Sequence, residues 1–366
     1  MRLREILSEA GKNLSTGTAR AIPHALALAV LLIIALGIDQ WTVAATRIDH
    51  AEFRRDGGTL WSISAPGGID PGRCEGLATL SGVEGAGAIR IAESTRLRLV
   101  PTTPTRLLEA TPGMARVLGV EETGLQGVWL SPSLATTLGA ARGSEIEFVD
   151  GTTAGIAARY SFPSNVTGAA LSAAIVAPAP VSGAWDECWI DLGRYTEAAT
   201  TALHYSVMAD ASGTPGTQAR VSQLNSARGR SHNLEEILEA RTTRYLLIAA
   251  PVVGAGLAAL AIRRRRLEHA AARQVGVTRA DLAAITALET AAWAITGALL
   301  AVGVVGLLHV ALMNGAGIDP RLHLPGALLA AGGLAAISAV SAVVVAALVS
   351  LTNKPRHLYR YFRERM

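Results

Sequence analysis

Lysine is almost missing from this chain. Its 366 residues contain two, Lys12 and Lys354. Charged residues of all kinds make up 17% and aromatics 4%, while half of the residues are hydrophobic. A soluble globular domain carries about 25% charged residues. A chain so poor in charge keeps much of its surface out of water. Cysteine occurs twice, at Cys74 and Cys188, too few for a cysteine-built metal site. No G-x-x-x-x-G-K-[ST] run is present. Gly11-Lys12 is followed by Asn13 and lacks the upstream glycine, so there is no nucleotide-phosphate cradle. G-x-S-x-G and H-E-x-x-H are absent as well. The histidines at 50, 204 and 232 are scattered, with no ligand spacing. We expect no catalytic residue, no metal site and no cofactor in this chain.

What the chain has is long apolar runs. A bilayer core about 30 Å thick takes roughly 20 apolar residues of helix. Runs at 21–38, 245–262, 282–313 and 326–351 qualify. The first exceeds the usual 7–15-residue core of a signal peptide and is read as an uncleaved anchor. Two ionisable residues interrupt the third: Glu289 and His309. Intramembrane polar residues are functional candidates by default, although neither shows a partner in the sequence.

Charge sets the orientation. Segments 1–20, 263–281 and 352–366 together hold 15 Lys or Arg and 5 acids. Segment 44–243 holds 16 Arg and 21 acids. Basic residues flank spans on the cytoplasmic side. Carrying Arg263 to Arg266 across a membrane would cost roughly 10 kcal/mol on insertion scales. The same run suits anionic lipid, and its position argues against nucleic acid. The expected organisation is therefore a cytoplasmic amphipathic helix (1–20), spans at 21–43, 244–262, 282–313 and 326–351, a large external domain (44–243), a cytoplasmic loop with a short helix (263–281), a short external loop (314–325) and a basic cytoplasmic tail (352–366). The protein is expected in the cell membrane with both termini inside.

The external segment reads as α+β. Trp61, Ile63 and Ala65 alternate, as do Ile146 and Phe148, and Ala154 through Phe162 form the clearest period-2 run. Ser131 followed by Pro132 starts a helix. Both ends look helical, with Asn233-Leu234-Glu235-Glu236 in the form of a capping box, which predicts that the first two membrane helices continue outward as stalks. Cys74 and Cys188 both lie in this segment, where a disulfide would persist. Gly254, Gly256, Gly303, Gly306, Gly332 and Gly333 mark close helix packing, either within the four-helix unit or at a dimer seam.

One span, a large external domain and three further spans is an order of parts that resembles the FtsX-like, MacB-type ABC transporter permease family. The most specific stretch runs from Arg264-Arg265-Arg266-Leu267-Glu268 through Arg273-Gln274-Val275-Gly276-Val277-Thr278 to Leu288-Glu289. It is similar to the family's basic cluster, short helix, glycine turn and acid opening the third span. Gly127 to Gly139 and the amphipathic stretch 4–14 match more weakly. The resemblance implies a four-helix mechanotransmission permease that moves its external domain for export or extraction. It would act as a homo- or heterodimer, with ATP bound by a separate ATPase subunit. Residues 264–275 would be the coupling helix, with Arg264, Arg265, Glu268, Arg273 and the capping Gly276 at the ATPase contact. The alternative is an FtsX-like signalling scaffold that relays ATPase motion to an external protein partner.

Overall fold

The computed structural model describes residues 3–92, 94–120, 125–163, 170–209 and 219–352. The expected basic tail, apart from Thr352, lies outside the described residues. The chain divides into a helical unit, Met1–Ile48 with Leu238–Met366, and a sheet unit, Asp49–Ile237.

Among the described residues, four helices are long and apolar enough to cross a membrane. They are Ala21–Arg55, Leu246–Arg264, Arg279–Gly315 and Leu324–Leu351. A shorter helix, Leu3–Ser15, precedes them, and another, Arg266–Gln274, lies between the second and third. One apolar cluster joins all four long helices, through Leu28, Leu32 and Leu36, Ala258 and Ile262, Trp293 and Ala301, and Ala335 and Ala342. Alanine dominates it, so backbones come close.

The glycines separate into two groups. A methyl on Gly254 would stand 2.2 Å from the Ser338 carbonyl oxygen, and one on Gly297 would stand 2.6 Å from that of Ala25. Such distances forbid any side chain, so these glycines fix helix crossings inside the unit. A Cβ on Gly306 would lie 3.0 Å from a Leu328 methyl. Gly256, Gly303, Gly332 and Gly333 have open space where a Cβ would be. Beside Gly254, the Ser341 hydroxyl donates to the Pro251 carbonyl at 2.7 Å. The second and fourth helices are thus bonded as well as packed.

The two expected stalks differ. Ala21–Arg55 is one continuous helix of 35 residues, about 52 Å long at 1.5 Å per residue. The second does not continue outward unbroken. Helix Leu234–Ala240 stops, Arg241 is extended (φ −60°, ψ 132°), and a 3-10 turn, Thr242–Tyr245, leads into the second long helix. The cause is electrostatic. Arg241 donates through Nε to Asp39 at 3.0 Å and through Nη1 to the Leu238 carbonyl at 2.5 Å, and the Thr243 hydroxyl donates to Asp39 at 2.6 Å. Asp39 is buried and needs these donors. The capping box is also unrealised. The Asn233 amide bonds the Tyr195 backbone in both directions, at 2.8 and 3.3 Å, and Glu236 accepts from Arg194 at 2.8 Å.

The sheet unit is α+β. Its strands are β1 (Leu60–Ile69), β2 (Val83–Ile91), β3 (Thr95–Leu97), β4 (Val100–Ala110), β5 (Val128–Leu130), β6 (Glu145–Glu147), β7 (Thr153–Arg159), β8 (Ala174–Pro178), β9 (Trp185–Leu192) and β10 (Arg220–Gln223). They pair in the order β10-β1-β9-β2-β4-β8-β5-β7-β6, with β3 on β4. β4–β8 and β5–β7 are parallel, and the rest are antiparallel. Alternation feeds two cores. Trp61, Ile63, Cys188 and Ile190 enter one cluster, while Leu60, Ile89 and Trp189 enter another. The expected helix after Ser131 forms as Pro132–Thr137, with the Ser131 hydroxyl accepting from the Leu134 N–H. Cys74, on helix Pro71–Gly76, is joined by a disulfide to Cys188 of β9, 114 residues away.

Candidate functional site

The second long helix ends at Arg264, and Arg266–Gln274 begins two residues later. Arg265 is the corner between them, with φ −99° and ψ 14°. A corner residue can aim its side chain away from both helix axes, and Arg265 aims it inward. Its guanidinium donates to Glu289 of the third long helix and, through Nε, to Glu268 at 2.7 Å. The Glu289 side chain is 4% exposed and that of Arg265 15%. The other Glu289 oxygen accepts from the Asn13 amide at 2.6 Å. Asn13 is placed there by helix Leu3–Ser15, whose Ile6 and Ala10 pack on Ala284 and Ile285. Three separate segments therefore meet on one buried carboxylate. Burial alone would lower the Arg265 pKa, but Glu268 and Glu289 outweigh it and hold the group more firmly charged.

The short helix is fixed at both ends. At its far end Gly276 has φ +101°. The Val277 N–H reaches the Ala272 carbonyl and the Gly276 N–H the Arg273 carbonyl, a six-to-one and five-to-two closure. Thr278 then caps the third long helix, accepting from the Asp281 N–H at 3.2 Å. His269 is buried within the short helix. Loss of hydration, with the Arg265 charge next, pushes its pKa down to about 4.

The residues of the expected coupling contact do not share one role. Arg264 is exposed. Glu268 is exposed but bonded to Arg265, and Arg273 is half-buried. Arg265 faces the interior. The turn after the helix carries Val275, which is 88% exposed. His309 lies inside the helical unit. It is fully buried, and neither ring nitrogen has a hydrogen-bond partner among the described residues.

Beside the corner lies a concavity of about 400 Å³, lined by Thr18, Arg20, His24, Arg263, Arg264 and Arg266. Arg265 and Glu268 also border it. Arg20 has φ +47°, the one non-glycine residue with positive φ among those described. That conformation costs roughly 1 kcal/mol or more for a residue with a Cβ.

Sequence reading missed two arrangements. Glu289 has the corner arginine as its partner, and the signal was available, since an acid in an apolar run must be neutralised and a run of four arginines opens the preceding loop. His50 and His232 are not scattered. Their rings stack with centroids 5.5 Å apart, and the His50 ring bonds the His232 carbonyl at 3.0 Å. No spacing rule foretells a contact between residues so far apart in the chain.

Comparisons with known proteins add little. No family model matches the chain, and no curated protein matches it. Among solved structures, a domain of a "putative Permease protein" from Porphyromonas gingivalis is similar over 45% of this chain and 88% of that one. The identity is 14% and the TM-score 0.30, a likeness too slight to bear an argument.

Proposed function

We propose that this chain is the multi-pass membrane subunit of an ABC transporter. It would sit in the cell membrane with its sheet domain outside and its termini and the 263–281 loop in the cytoplasm. A separate ATPase subunit would bind the short helix Arg266–Gln274, and a second permease subunit would complete the dimer. ATP binding and hydrolysis on the partner would then drive movement of the external domain for export or extraction.

The observation that carries this reading is the Arg265–Glu289 tie. A cytoplasmic helix that merely floated on lipid would have no need of a buried ion pair to the third long helix. A helix that receives force does need one. A push on Arg266–Gln274 passes through a buried, hydrogen-bonded contact, so little of it is lost to side-chain motion. Exposed Val275 at the tip offers an apolar contact beyond this framework.

Co-purification from the native host's membranes in mild detergent tests the reading. Wild type should bring down a P-loop ATPase, and Val275→Asp should not, while Arg321→Ala should behave as wild type. Failure of wild type to recover any ATPase would overturn the transporter assignment.

A further inference from the structure

We infer that the arginine-lined concavity beside the corner is a binding site for the phosphate of an anionic lipid headgroup. The inference rests on the membrane reading, because it takes the ends of the first two long helices to lie at the cytoplasmic surface. Four arginines, Arg20, Arg263, Arg264 and Arg266, converge on one concavity of about 400 Å³. That is within the range of small-ligand sites, about 300–1,000 Å³. Arg265 and Glu268 satisfy each other, but Arg20, Arg263 and Arg264 form no side-chain hydrogen bond or ion pair with any described residue. Like charges held together repel, and a bound anion removes that cost. Guanidinium groups suit phosphate because their planar N–H forks match its oxygens.

Two further observations point at the cavity. Arg20 is held in a left-handed conformation that a glycine would adopt without strain, yet the position carries the longest cationic side chain. His24, one turn further along the same segment, lines the same concavity. Its walls come from the start of one candidate span and the end of another, as in basic pockets between membrane helices that hold lipid headgroups. An acidic protein surface would be served better by a protruding patch than by a recess between helices.

Native mass spectrometry of the full-length protein in detergent, with phosphatidylglycerol and phosphatidylcholine supplied equally, tests the site. Wild type should retain phosphatidylglycerol preferentially. The double variant Arg20→Gly/Arg264→Gln should lose about thirtyfold in that preference, each arginine near an anionic headgroup being worth about fivefold. The glycine also relieves the backbone, so the loss cannot be put down to misfolding. Arg20→Lys/Arg264→Lys should keep most of the binding, and Arg321→Gln all of it. Equal retention of the two lipids by wild type, or unchanged preference in the double variant, would overturn the site. Protection by excess inorganic phosphate with no lipid retained would overturn the lipid source. Loss of ATPase co-purification with lipid preference intact would also overturn it and favour a protein partner. Alkaline carbonate extraction checks the membrane reading separately. Release of the protein would sink that reading, whereas a retained protein with no lipid preference would sink only the headgroup site.

Discussion

Glu289 and Arg265, separated by 24 positions in the chain, bury their opposite charges against each other, and the carboxylate also accepts from Asn13. Removing Glu289 leaves Arg265 only the exposed Glu268, and removing Arg265 leaves the buried carboxylate only the Asn13 amide. Breaking a buried pair costs about 3–5 kcal/mol, whereas replacing both members with apolar groups can be neutral. Glu289→Ala should therefore lower the melting temperature of the detergent-solubilised protein sharply, and Arg265→Met/Glu289→Leu should recover most of the loss. A double variant that recovers stability yet no longer co-purifies the proposed ATPase partner would give the pair a part in docking beyond stability.

Gly254 and Gly256 are near-neighbours of one composition and unlike surroundings. Gly254→Ala forces a methyl to within 2.2 Å of the Ser338 carbonyl oxygen, while Gly256→Ala meets nothing within 4 Å. The first should destabilise by about 1–3 kcal/mol. The second should be neutral or slightly stabilising, since alanine favours helix over glycine. Thermal melts of the two variants side by side check this, and equal effects would contradict the second–fourth helix crossing.

Reduction of the Cys74–Cys188 bond frees a loop of more than one hundred residues in the unfolded chain. Loss of such a closure costs about 2–5 kcal/mol. Cys74→Ser/Cys188→Ser should shift the urea midpoint downward by that equivalent, read from tryptophan fluorescence, to which Trp61 and Trp185 of the cysteines' own buried cluster contribute. Added reductant should shift wild type in the same direction and leave the double variant unmoved.

His269 makes the loop sensitive to acid. Its pKa falls from an ordinary 6.5 to about 4 in the fold, so the fold disfavours the charged form. Its contribution is therefore complete above about pH 6.5 and lost as pH falls from there toward 4, about 3 kcal/mol in all. His269→Leu should flatten that part of the stability profile. The difference between variant and wild type at pH 5 and pH 7.5 isolates the imidazole from carboxylates that titrate in the same range.

Much of this fold could be read from the chain because the relevant signals are local. An apolar run of 18 or more residues names a candidate span without reference to anything else. Alternation at Trp61, Ile63 and Ala65 and the Ser131-Pro132 start are equally self-contained. What could not be read depends on distant partners. β4 finds β8 across dozens of residues. The helix break at Arg241 depends on Asp39, 202 positions earlier, and by periodicity alone the segment looks continuous. At the candidate site, the residue types of the 263–281 loop were legible, but their directions were not. Arg265 faces inward because it alone occupies the corner between two helices, a consequence of where the second helix stops.

The stop and start at Arg241 makes the two connections between the units unlike. The polypeptide passes between the helical unit and the sheet domain twice. One passage, Ala21–Arg55, is an uninterrupted helical rod. The other is interrupted at Arg241. Yet Arg241 and Thr243 are both clamped to Asp39 on the rod. The break in the second passage is therefore bonded to the first long helix within the helical unit itself.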